Sequence, residues 1–160
     1  MKRVLTVVTI AVFVILASGM LLAQENPFVG TWKLNLVKSK FSDTPAPKSE
    51  TRTIEAQGHG LKASFEGVAA DGSTISWTFT SNLDGKAEPV TGSGIPSGAD
   101  MLATKRIDAN TLATTYLRAG KVVRTSRTAV SKDGKVTTVT AKMTDASGKP
   151  MTVVSVWDKQ

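Results

Sequence analysis

Three Asp-Gly pairs, Asp71-Gly72, Asp84-Gly85 and Asp133-Gly134, punctuate this chain between runs in which apolar and polar residues alternate. Asp-Gly supplies the positive φ that tight hairpin turns demand, so each pair marks a reversal between neighbouring strands. The runs themselves have a period of two. Gly30, Trp32, Leu34 and Leu36 alternate with Thr31, Lys33 and Asn35; Leu61, Ala63 and Phe65 with Lys62, Ser64 and Glu66; Ile75, Trp77 and Phe79 with Ser76, Thr78 and Thr80. Such alternation builds a sheet with two unlike faces, and no stripe of helical period competes with it. Further turns are read at Gly58-His59-Gly60, Asp108-Ala109-Asn110, Ala119-Gly120 and Asp145–Gly148. About ten strands result, near 28–37, 49–57, 61–67, 73–81, 86–91, 100–107, 111–118, 121–130, 135–144 and 149–158. Short connections join them into a meander, and closing a meander removes its two exposed edges. The expected fold class is therefore all-β, an up-and-down antiparallel β-barrel of about 8–10 strands. A two-sheet sandwich is the alternative, but a Greek key needs long connections that are missing here.

Two segments break the rhythm. Lys38–Lys48 carries Pro45 and Pro47 and cannot be a central strand; it is expected as a loop, with room for one helical turn at Lys38–Phe41. Thr91–Gly98 is rich in Gly and Ser and is expected as a loop or irregular rim.

The first 23 residues follow different rules. Lys2 and Arg3 precede an almost wholly apolar run, Val4–Ala23, and the polar Gln24-Glu25-Asn26 follows it. That order predicts a signal peptide over residues 1–23, cleaved near Ala23, and a single barrel domain over 24–160 in the periplasm or outside the cell. An uncleaved membrane anchor is the competing reading, since about 20 apolar residues can span a bilayer. The chain has no cysteine, which excludes a lipid-attached cysteine and any disulfide. Cleavage would remove Lys2 and Arg3, leaving 137 residues whose formal charge falls from +7 to +5. That bias favours anionic small molecules. Nucleic acid is not expected as a partner, because the basic residues are not interleaved with aromatics.

A barrel of ten strands is too wide to be filled by its own side chains. Trp77 and Phe79, with Phe65 one strand away, are thus read either as plain core or as the lining of a pocket. Arg124 and Arg127 lie on one strand with opposite parity, so both face inward only across a bulge. Catalysis has little support. His59, the one histidine, sits between two glycines in a turn; no Gly-x-Ser-x-Gly elbow or zinc spacing exists; and Glu25, Glu50, Glu55, Glu66 and Glu88 show no pairing. No cofactor is expected.

The first strand, Phe28-Val29-Gly30-Thr31-Trp32-Lys33-Leu34, resembles the opening of the calycin barrels, the lipocalins and fatty-acid-binding proteins, and is particularly similar to the latter. The last strand, Val153–Gln160, resembles their closing strand in place. The resemblance covers the layout of the whole mature chain but only the first strand in motif. It implies a structural role for Gly30 and for Trp32, the latter as a plug at the closed end of the barrel. It also implies an anion-binding arginine on the strand before the Asp133-Gly134 turn, where Arg127 is the candidate, with Tyr116 on the strand before it. Two features depart from the family. Ser155-x-Trp157 stands where an Arg-x-Tyr pair holds the ligand carboxylate, so that half of the anion site is missing. Lys38–Lys48 is too short for a lid of two helices, so an open mouth is expected. The reading is an exported bacterial lipocalin-like barrel that binds a small hydrophobic or amphipathic, lipid-like ligand through Trp77, Phe79, Phe65, Tyr116 and Arg127. The alternative is a non-catalytic envelope protein with a filled core, acting through its outer face or loops.

Overall fold

The computed structural model describes residues 26–42, 44–145 and 147–160; the proposed signal peptide and its cleavage point at Ala23 lie outside them. Ten strands follow one another: β1 (Gly30–Lys40), β2 (Ser49–Gln57), β3 (Gly60–Val68), β4 (Thr74–Ser81), β5 (Asp84–Ser93), β6 (Met101–Asp108), β7 (Thr111–Arg118), β8 (Lys121–Val130), β9 (Val136–Thr144) and β10 (Pro150–Lys159). Every strand pairs antiparallel with its neighbours in sequence, and β1 pairs with β10, so the sheet is a closed barrel. Among the described residues the one helix is a short 3₁₀ turn, Pro96–Gly98.

Turn chemistry sets the hairpins. Asp71 Oδ1 accepts from the Ser73 amide at 2.8 Å, Asp133 Oδ1 from the Lys135 amide at 3.1 Å, and Asp145 Oδ1 from the Ser147 amide at 2.8 Å. These are Asx turns. The Ser73, Ser131 and Ser147 hydroxyls, which donate to the same carboxylates, and then the backbone amides hold each carboxyl below its ordinary range. The Asp84-Gly85 pair works differently from the expectation. The reversal falls at Asn82-Leu83, and Asp84 already opens β5. Leu83 takes φ +60 because its side chain is buried in the core, and its amide donates to Ser81 Oγ at 3.1 Å. Gly85, at φ +86, then serves the bulge between Asp84 and Ala87.

The expected helical turn at Lys38–Phe41 is also absent, since β1 runs on to Lys40. Between Asn35 and Lys40 it slips relative to β10, where Asn35 faces Val156 and Lys40 faces Val154. The Ser39 hydroxyl bridges this bulge, donating to the Asn35 carbonyl at 2.6 Å and accepting from the Val156 amide at 2.9 Å. On its other side β1 pairs with β2 only over Gly30–Lys33. The Thr91–Gly98 segment splits, with β5 continuing to Ser93 before the 3₁₀ turn.

One barrel end gathers the start of β1 and the β2–β3, β4–β5, β6–β7 and β8–β9 turns. Phe28, Trp32, Leu61, Leu83, Leu112 and Val130 fill it in one buried cluster with Trp157. Trp32 is fully buried, and its indole N–H donates to the Phe28 carbonyl at 2.9 Å. Gly30 takes φ +134, which L side chains rarely adopt, and a Cβ there would stand 2.7 Å from Lys159 Cε and displace the end of that lysine. That Lys159 ammonium lies 5.3 Å from the Trp32 ring centroid. A second cluster, with Ile75, Trp77, Val90, Leu102 and Tyr116, lines the other half.

Candidate functional site

Phe65 and Phe79 pack against both clusters. Between the two clusters lies a cavity of about 450 Å³. One wall comes from β3 and β4, whose register sets Phe65 opposite Trp77 and Ala63 opposite Phe79. The Phe65 and Trp77 rings stack at 3.7 Å with planes 4° apart, and Phe79 continues the row 6.1 Å from Trp77. The period-two pattern of both strands turns these three rings to the interior, where all three line the cavity.

The polar groups of the cavity arrive from β2, β7 and β8. Arg52 is 4% exposed, and its guanidinium lies between two indoles, 4.6 Å from the Trp157 centroid and 5.5 Å from that of Trp32. It has no hydrogen-bond or ion-pair partner among the described residues, and its Nε is buried without one. Burial pulls its pKa down to about 9, while Glu50 and Tyr116 resist the shift, so Arg52 is charged at neutral pH. Glu50, two residues back on the same face, lines the same cavity. Burial pushes its carboxyl from 4.5 up to about 7 against the pull of Arg52 and Arg124. Arg124 lies 5.3 Å above the Tyr116 ring, the residue it opposes across the β7–β8 pair, and its Nε is likewise buried without a hydrogen bond.

Arg127, the arginine expected in the site, lies outside the cavity, and Arg124 lines it. Arg127 is exposed on the outer face, opposite Ala113, and the field of Asp108 reaches it there. Arg124 and the buried Ser126 share the inward parity of β8, and the one register shift of that pair falls between Tyr116 and Leu117, beyond the stretch that carries Arg127. Tyr116 is buried at the cavity wall as anticipated.

A guanidinium from β2 lies against the β10 ring of Trp157. Trp157 donates its indole N–H to Ser155 Oγ at 3.1 Å, and Arg52 packs on the ring from β2. Sequence reasoning passed over Arg52 and Glu50, although the signal was present: both share the parity of Ile54, whose apolar side chain marks the inner face. At the mouth, Phe41, Thr44, Pro45 and Pro47 from the β1–β2 loop contribute to the lining, as do Ala69, Pro96 and Ser97. The mouth is rimmed by loops, with no α-helix among the described residues.

Neither a protein-family model nor a curated protein sequence matches the chain. Its fold is shared with solved structures. One is the ileal bile acid-binding protein of zebrafish, crystallised with cholic acid: the two superpose with a TM-score of 0.57 over 84% of this chain and 99% of that one, at 13% identity. Ten antiparallel strands in up-and-down order, closed β1 to β10 and plugged at one end by Trp32, are the calycin barrel fold.

Proposed function

We propose that this barrel binds a small amphipathic ligand with an acidic head group. The observation that carries the reading is the pairing, in one interior cavity, of an aromatic wall with two guanidinium groups, Arg52 and Arg124, that form no salt bridge among the described residues, although Glu50 lies near enough to act on both. An unpaired buried arginine costs several kcal/mol. An anion that forms charge-assisted hydrogen bonds with Arg52 and Arg124 offsets that cost while its apolar body covers Trp77, Phe65 and Phe79. A volume of about 450 Å³ falls in the range of small-molecule pockets. The zebrafish protein's cholic acid is an amphiphile of the same kind, which supports the class and leaves the compound open. Export to the periplasm or the medium belongs to this reading and rests on the charged, apolar, polar order of the first 26 residues. Intact mass of secreted protein, expected to lack residues 1–23, tests that part.

Titration of Trp fluorescence with oleate and with cholate tests the binding. Either ligand should change the emission of the wild type. Arg124→Gln should weaken binding by about 1.5–3 kcal/mol, the usual worth of a hydrogen bond to a charged group, and Arg127→Gln should leave it unchanged. Emission that no amphiphile alters would overturn the proposal.

A further inference from the structure

Glu50 is the odd member of the cavity: a carboxylate beside the two arginines that would attract an acidic ligand. Its place is set by the fold. Beyond Lys33, β1 parts from β2, and a side cleft opens along Lys33, Leu34, Asn35, Leu36, Lys48, Ser49 and Glu50. Leu34 and Glu50 line both this cleft and the interior cavity, so Glu50 stands in the wall between them. From inside the barrel it feels Arg52 on its own strand and Arg124 on β8, with Tyr116 on β7 beyond. From β1 its inner neighbour is the uncharged Leu34. Lys33 and Lys48 line the cleft side, and Asp158 there is bound by Asn35 and Lys38. Across β3 it opposes Gly67, and Glu66 on that strand is exposed. His59 lies exposed at the opposite end of β2.

An anion held by the two guanidiniums meets the Glu50 carboxylate at close quarters in a site shielded from water. Like charges so placed disfavour joint ionisation, so the ligand raises the proton affinity of Glu50, and by reciprocity the proton raises the affinity for the ligand. We propose that Glu50 is the specificity residue of the head-group end of the cavity, coupling capture of a singly charged acidic amphiphile to uptake of a proton. The inference rests on the ligand-binding reading above. A ligand that instead donates a hydroxyl or ammonium hydrogen bond to Glu50 would favour the ionised carboxylate and release a proton, so the sign of the coupling reports the head group the site is built for.

Isothermal titration calorimetry with taurocholate, whose sulfonate stays ionised throughout, tests this without titration of the probe. Binding to the wild type should weaken about ten- to a hundredfold from pH 5.5 to pH 8.5. At pH 7, heats compared in phosphate and Tris should show a fraction of a proton taken up. Glu50→Gln should bind with one affinity at both pH values, close to that of the wild type at pH 5.5, with no net proton uptake. Methyl decanoate, a neutral probe with no hydroxyl or ammonium to donate to Glu50, should bind both forms alike at both pH values. The buffer comparison on the wild type stands even if the variant does not fold. Taurocholate binding with no pH dependence, with proton release, or with pH dependence kept in Glu50→Gln overturns the inference and leaves ligand binding intact. If neither probe binds at either pH, both readings fall.

Discussion

Replacing Arg52 by Met should make the ligand-free barrel more stable and the liganded barrel weaker. Arg52 is 4% exposed, and burial's pull of its pKa down to about 9 corresponds to about 5 kcal/mol against the charged form. The Trp157 and Trp32 rings, at 4.6 and 5.5 Å, return about 0.5–2 kcal/mol each. The difference leaves a burden of about 1–4 kcal/mol. Methionine keeps most of the aliphatic stem against the two indoles and brings no charge, so most of that burden should be relieved. With a urea m-value of about 1–3 kcal/mol/M, the unfolding midpoint should rise by about 1 M. Saturating acidic ligand should then reverse the order, because a ligand at a thousand times its Kd adds about 4.1 kcal/mol to the wild type, enough to match the upper end of that burden, and little to the variant. Equilibrium urea melts with and without cholate read both quantities. A variant less stable than the wild type when ligand-free, with an unaltered m-value, would refute the reasoning: Arg52 would then be a structural strut between two indoles.

Trp32→Ala should cost about 3–5 kcal/mol, since the ring is fully buried and its N–H is bonded to Phe28; urea melts should show a folded fraction that collapses or a midpoint far below the wild type. Gly30→Ala should lower stability through both its φ of +134 and the crowding against Lys159, and thermal unfolding should register a lower Tm. Glu50 carries a proton to higher pH in the folded chain than in the unfolded one, with about 7 against 4.5. Its contribution is therefore full below about pH 4.5, falls as pH rises to about 7 and stays flat above. Glu50→Gln should match the wild type at pH 4 and exceed it by roughly 3 kcal/mol at pH 8, measured by urea melts across that range.

Strand positions were legible because turn chemistry and alternation agree: the span of β2, and those of β7 and β8, fall where the sequence places them. The aromatic wall was legible for the same reason, since Phe65, Trp77 and Phe79 obey the apolar-inward rule. The charged end of the cavity was not, and the cause is physical. Arg52 and Glu50 look like solvent-facing residues by type, and only their shared parity with Ile54 betrays them. Arg124 and Arg127 have opposite parity on one unbroken stretch of register, and β8 carries too few large apolar residues there to mark which parity faces inward. Ring stacking on Trp157 joins residues about a hundred positions apart, which local pattern does not encode.

The closure of β1 onto β10 has a consequence for how the chain comes to be folded. The last backbone amide, that of Gln160, donates to the carbonyl of Thr31 at 3.0 Å, and Leu34 pairs with Trp157. The seam therefore joins the first strand to the last, the longest loop closure the domain can make. Until β10 is in place, Trp32 lacks the seam beside it and Arg52 lacks one of its two rings. Without that strand the sheet is open and edge-bearing, so the barrel closes through its most non-local pairing, a slow step in the manner of proteins dominated by such contacts.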